Sequence, residues 1–143
     1  MASPEITDRV KKVHDFLTVG AAAPLMEAAV VGLQFPDSYY EELRAHYTHM
    51  KNLFTDGLRE IGLQFTNPQG AYYVLVDISE FGFESDLVFC EELARKVGVG
   101  AVPGSSFFKE PENRYIRFHF AKRDETLQEA LGRLADIHSK MKK

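Results

Sequence analysis

NRYIRFHFAKRDETLQEALGRL, residues 113–134, changes its hydrophobic period half-way along. From Tyr115 to Ala121 the pattern alternates as a strand does. Ile116, Phe118 and Phe120 share one face, and Tyr115, Arg117 and His119 share the other. After Asp124, the residues Leu127, Leu131, Leu134 and Ile137 recur at helical spacing. Asp124 and Glu125 sit where a helix N-terminus favours negative charge. A strand running into an amphipathic helix needs cover for both apolar faces, so the stretch points to a sheet with helices packed on it.

The arginine in the middle of that strand needs a reason. A guanidinium stays charged, so it must reach water or meet an anion. Held on a strand among aromatic residues, Arg117 is suited to bidentate recognition of a carboxylate. A solvated sheet face, or an ion pair with Asp77 or Glu80, accounts for the spacing at least as well.

Upstream, Ser3-Pro4 starts a helix whose apolar stripe is Ile6, Val10, Val13 and Leu17. Thr18 to Ala23 interrupts it. Pro24 opens a second helix, LMEAAVVGL, apolar nearly all round and in need of partners on several sides. Residues 25–33 are therefore expected to expose apolar surface when the chain stands alone. Phe35-Pro36-Asp37-Ser38 opens a long third helix, with Ser38 and Glu41 at capping-box spacing and Asp37 as an equal candidate cap. Its stripe is Tyr40, Leu43, Tyr47, Met50, Phe54 and Ile61, and Gly62 ends it.

Leu63 to Phe65 reads as a short strand and Asn67-Pro68-Gln69-Gly70 as a turn. AYYVLVDI, residues 71–78, is β-branched and aromatic, apolar on both faces, and reads as a central strand. Ser85-Asp86 caps a helix carrying Val88, Phe89, Leu93 and Val97, stopped by Gly98. Val99 to Val102 is a short strand ended by Pro103-Gly104. The order ααα-ββ-α-β-β-α predicts an α/β (α+β-like) domain with a small mixed, mostly antiparallel sheet and helices packed on it.

The composition sets bounds. With 45% apolar and 27% charged residues over 143 positions, the chain is globular and large enough to bury a core. A net charge of -4 without a basic block argues against nucleic acid, and no apolar run approaches membrane-spanning length. The opening MASPEITDRV has no charged-then-apolar leader, and the single Cys90 fits a reducing compartment, so a cytoplasmic location is expected.

Other features carry less. Gly98-Val-Gly100-Ala-Val-Pro-Gly104 has a helix before it and a strand after, the reverse of a dinucleotide fingerprint. His46 and His49 share a helix face but have no third metal ligand at suitable spacing, so a solvated face is expected. Cys90, between Phe89 and Leu93, reads as a buried structural thiol. Ser105-Ser106 lacks a nucleophile elbow. His119 shares the Arg117 face and is a candidate lining residue.

GAYYVLVDIS, ARKVGVGAVPGSSFF and NRYIRFHFAKRDETLQEALGRL, in that order, resemble the C-terminal part of class I/II (fold type I) aminotransferases, which use pyridoxal 5'-phosphate. VKKVHDFLTVGAAAPLMEAAVVGL and the helix beginning PDSYYEELRAHYTHM match the same pattern, and the branch resembled is that of kynurenine aminotransferase and glutamine–phenylpyruvate transaminase. The resemblance implies that Arg117 binds the α-carboxylate of an amino-acid or 2-oxo-acid substrate. It also implies that Gly70 and Tyr73 border the substrate entrance, although turn geometry and core packing explain those two as well. The resemblance further implies that residues 1–34 are a helical segment packing on a large N-terminal domain. Residues 35–143 would be the small C-terminal domain with its long connecting helix.

The cofactor's Schiff-base lysine, ring carboxylate and phosphate cradle would come from that large domain. Lys11, Lys12, Lys51, Lys96, Lys109, Lys122, Lys140, Lys142 and Lys143 all lie outside the family's serine-lysine segment. The chain is thus expected to be a C-terminal piece of a homodimeric transaminase. Alone it should be inactive and bind the cofactor weakly. A standalone carboxylate-binding or regulatory module, or a piece of a related β-lyase, decarboxylase or acyl-CoA condensing enzyme, is the alternative.

Overall fold

The computed structural model describes residues 2–18, 20–110 and 112–142. Two compact units divide the chain, Met1–Glu41 and Glu42–Lys143, with the boundary inside the third helix.

In the first unit, α1 (Pro4–Leu17) starts where the sequence places it. The Ser3 hydroxyl accepts a hydrogen bond from the Ile6 N–H at 3.4 Å, and Pro4 occupies the first turn, where a missing N–H costs nothing. Its polar face is laced by the pairs Arg9–Glu5 and Lys12–Asp8. Helix α2 (Ala23–Leu33) follows. The Tyr40 hydroxyl donates to the Gly32 carbonyl at 2.7 Å, closing the corner into the next helix. Neither α1 nor α2 has a buried residue, and Leu25, Met26, Val30, Val31 and Leu33 are all exposed.

Helix α3 (Asp37–Ile61) reaches from the first unit into the second. Only its C-terminal half enters the core, through Met50, Phe54, Thr55 and Leu58, while Tyr40 and Leu43 are exposed. The expected stripe was thus too long at its start, and it passed over Leu58, which is fully buried. Gly57 lies against Leu131, close enough that a Cβ there would overlap the leucine's side chain.

The sheet has three strands, β1 (Tyr73–Asp77), β2 (Val102–Pro103) and β3 (Tyr115–His119), in the order β1-β3-β2. Both pairings are antiparallel, so no parallel strand is present among the described residues. Leu75 and Val102 both stand opposite Arg117, one on each side of β3. The expected strand at Leu63–Phe65 reduces to a single bridge from Phe65 to Val76. Backbone bonds from Thr66 N–H to Leu75 O and from Asp77 N–H to Gln64 O flank that bridge at 2.9 and 2.8 Å. Of the expected strand at Val99–Val102 only Val102 pairs, together with Pro103, which was expected to end it. Gly98 adopts φ +78° to end the preceding helix, and Pro103 has no N–H to extend a ladder.

Helix α4 (Asp86–Lys96) is capped by the Ser85 hydroxyl, which accepts from Val88 N–H at 3.5 Å. The final helix ends earlier than its apolar spacing suggests. Helix α5 (Asp124–Leu134) stops, and a short α6 (Ile137–Lys140) restarts after Asp136. The break turns Ile137 and Met141 back into the core. The Asp136 carbonyl accepts bonds from the Ser139 N–H and hydroxyl, at 3.1 and 2.8 Å, in the restarted turn.

One core joins these elements. Val74, Val76, Ile116 and Phe118 supply the inner sheet face, with Phe54, Leu58, Phe89, Leu93, Leu127 and Leu134 from the helices. Phe54 and Phe118 meet edge-on at 5.8 Å between ring centroids, an arrangement aromatic quadrupoles favour. Among the described residues no helix is long and apolar enough to cross a membrane.

Candidate carboxylate-binding site

Strand alternation separates the chemistry from the core. With Val74, Val76, Ile116 and Phe118 buried, the register puts Tyr73, Leu75 and Asp77 of β1 on the outer face beside Tyr115, Arg117 and His119 of β3. Arg117 is half-buried at the centre of that face. Its guanidinium carbon lies 4.1 Å from the centre of the Tyr73 ring and 3.8 Å from that of Phe107. Two aromatic rings therefore pack against the cation, a contact that suits arginine's planar guanidinium better than lysine's ammonium. The N–H fork of the guanidinium is the part able to bind an anion in plane.

The ion pairs that would have made Arg117 ordinary are not formed. Asp77 accepts the Ser79 N–H at 2.9 Å and faces Arg114 Nε at 3.7 Å. The Glu80 carboxylate lies 3.8 Å from His138 Nδ1. Among the described residues no carboxylate stands within ion-pair distance of Arg117, and none accepts a hydrogen bond from it.

Three neighbours complete the surroundings. His119, opposite Tyr73, titrates below the ordinary histidine value, first because burial disfavours its charged form and then because Lys122 and Arg117 repel it. The Tyr72 ring packs 4.4 Å from Tyr73, and its phenol is held above the ordinary tyrosine value, first by the Tyr73 phenol. The Arg114 guanidinium covers Tyr115 at 4.6 Å.

Of the residues singled out from the sequence, Tyr73 joins Arg117 directly. Gly70 opens instead on a cleft of about 200 Å³ lined by Arg44, Tyr47, Lys51 and Phe120. A Cβ at Gly70 would meet nothing within 4 Å, and the left-handed backbone of this turn falls on Ala71, at φ +56°. Neither packing nor backbone within the described residues demands a glycine there. Phe107 was missed. Its only signal was an aromatic pair following the Gly104-Ser-Ser turn, and nothing in that spacing says which ring reaches Arg117 and which Tyr115.

The remaining candidates resolve into structure. His49 Nε2 lies 2.7 Å from Asp124 Oδ2, tying α3 to the first turn of α5. Cys90 is buried, and burial, with Asp86 nearby, pushes its thiol up to about 11. Ser105 bonds to Asp86 through both its N–H and its hydroxyl. Gly98 and Gly100 line a cleft of about 300 Å³ with Phe54, Phe118, Lys122 and Leu127.

A Schiff-base lysine must sit desolvated or beside another cation to lose its proton. None of the described lysines is buried, so none meets the first condition, and Lys12, Lys96 and Lys140 are tied to Asp8, Glu92 and Asp136.

The family model for aminotransferase class I and II matches residues 1–134. YugH of Bacillus subtilis is 37% identical over 134 residues, covering 93% of this chain and 34% of its own length. The solved N-succinyldiaminopimelate aminotransferase of Mycobacterium tuberculosis is similar with a TM-score of 0.79 and 32% identity, over 94% of this chain and 35% of that one. The aromatic aminotransferase of Pyrococcus horikoshii gives a TM-score of 0.82 at 28% identity, over 96% and 37%. The chain spans about a third of the length of the relatives it matches.

Proposed function

The chain belongs to the class I and II aminotransferases, and we propose that it is the C-terminal, substrate-gripping part of a transaminase that moves an amino group between an amino acid and a 2-oxo acid. The observation that carries this reading is the Arg117 guanidinium, packed against two aromatic rings and free of any carboxylate partner among the described residues. Every amino-acid and 2-oxo-acid substrate carries an α-carboxylate whatever its side chain, so one rigid fork serves both half-reactions. Holding the carboxylate in plane also orients the neighbouring carbon, and positioning of this kind lowers the barrier. Tyr73 and Phe107 fix the fork, whereas Gly70 borders a separate cleft beside Tyr47 and Phe120.

Pyridoxal 5'-phosphate is the cofactor this family implies. Because no described lysine is buried, no catalytic step is assigned to this chain. The Schiff-base lysine, the ring carboxylate and the phosphate cradle belong, in this reading, to the part of the relatives' length that the chain does not span. The exposed apolar faces of α1 and α2 support packing of residues 1–34 on that part. A homodimeric parent in the cytoplasm completes the proposal.

Titration of the chain with pyruvate, followed through the Arg117 Nε–Hε resonance, tests it. Weak, saturable binding is expected; in Arg117→Lys, followed through the ring resonances of Tyr73 and Phe107, it should be lost because an ammonium has no planar fork. No response at Arg117 would refute the carboxylate role. Micromolar binding by the chain alone would favour a self-sufficient binding module instead.

A further inference from the structure

Asp86 is a buried charge that carboxylate binding leaves unused. It stands in the first turn of α4, only 1% exposed, and both of its oxygens turn to one residue. The Ser105 N–H donates to Oδ2 at 2.7 Å and the Ser105 hydroxyl donates to Oδ1 at 3.0 Å. A buried carboxylate is costly unless it is bonded, and charge-assisted bonds are the strong kind, so this contact holds Ser105 tightly to α4.

Gly104, the preceding residue, is pressed against β3. A Cβ there would lie 2.9 Å from the Tyr115 carbonyl carbon and overlap its oxygen. The 3-10 turn Gly104–Phe107 is thus gripped at its first two residues, by β3 on one side and α4 on the other. Phe107 ends that single turn, half exposed, with the centre of its ring 3.8 Å from the Arg117 guanidinium carbon, which Tyr73 also contacts.

We propose that Asp86 is a positioning residue: through Ser105 it holds Phe107 against Arg117 and so keeps the guanidinium fork aimed at the substrate carboxylate. This rests on the carboxylate role of Arg117. Tyr73 is fixed by its own strand, whereas Phe107 stands on a turn with no ladder of its own. Its place depends on the Asp86–Ser105 contact.

The test is NMR of the 143-residue chain, reading the Arg117 Nε–Hε resonance and its response to pyruvate. A guanidinium packed over the faces of two rings is displaced upfield by their ring currents. Asp86→Ala should move that resonance back towards its unstacked position and weaken pyruvate binding about threefold, the scale of one exposed cation–π contact. Asp86→Asn should restore both, because its carbonyl can accept the Ser105 N–H while its amide donates to the hydroxyl. Phe107→Leu should reproduce the loss with the Asp86–Ser105 contact intact. If Asp86→Ala does not fold, Ser105→Ala, which removes one of the two bonds, should shift the resonance part of the way.

A folded Asp86→Ala or Ser105→Ala variant with an unmoved Arg117 resonance and unchanged affinity overturns the proposal. It would leave Asp86 as a stabilising contact alone. If the resonance follows Asp86 but wild-type protein ignores pyruvate, the clamp stands and the carboxylate role of Arg117 falls.

Discussion

At the scale of single residues, the outer face of β3 is governed by charge. His119 is disfavoured as a cation by burial, by Lys122 and by Arg117, so its folded-state value lies below the ordinary 6.5. The unfolded chain then takes up the proton first. The contribution of His119 to stability is full above the ordinary histidine value and is lost as pH falls towards its own lower one. An NMR titration should find the ring neutral at pH 7, and Arg117→Gln should raise its midpoint towards the ordinary value. A midpoint unmoved by that substitution would mean that the field of Arg117 does not reach the ring. Two glycines make a second comparison. Gly104→Ala drives a methyl into the Tyr115 backbone, which cannot step aside, and should cost about 1–3 kcal/mol. Gly57→Ala meets the flexible end of Leu131 and gains the helix preference of alanine, so it should fall near neutrality. Thermal denaturation of the two variants checks the order.

At the scale of elements, α3 is two different helices joined end to end. Its N-terminal half presents Tyr40 and Leu43 to solvent, and its C-terminal half carries the core residues Met50, Phe54 and Leu58. Leu58→Ala should therefore cost about 2–5 kcal/mol, whereas Leu43→Ala should stay within about 0.5 kcal/mol of wild type in denaturant unfolding. The apolar period was legible throughout α3, but periodicity does not say where a partner stops. The same limit explains the last helix. Leu127, Leu131, Leu134 and Ile137 keep helical spacing across the break at Asp136, and only the need to bury Ile137 and Met141 shows that the chain turns there. The sheet erred the other way: two of the expected strands were real segments with too few ladder bonds to extend.

At the scale of the whole molecule, every residue of the buried core among the described residues lies between Met50 and Met141. Removing residues 2–34 therefore takes away no buried side chain among those described. The shortened chain should keep the melting temperature of the full one to within a few degrees and be the more soluble of the two. A cooperative loss of structure on truncation would show that α1 and α2 contribute to the core after all. The sequence by itself determined the kinds of element and their order, because hydrophobic period and turn residues act over a few positions. It also singled out Arg117, because a permanent charge in an apolar strand is visible without coordinates. Only the tertiary structure decided what Arg117 touches. Phe107 arrives from a turn set by the close approach of Gly104 to β3 and by the bonds of Ser105 to Asp86, 19 positions away along the chain. Asp77 and Glu80, which could have neutralised the guanidinium, are drawn off by Arg114 and His138. Which partner a charge finds depends on distances across the fold, and local sequence spacing carries no information about them.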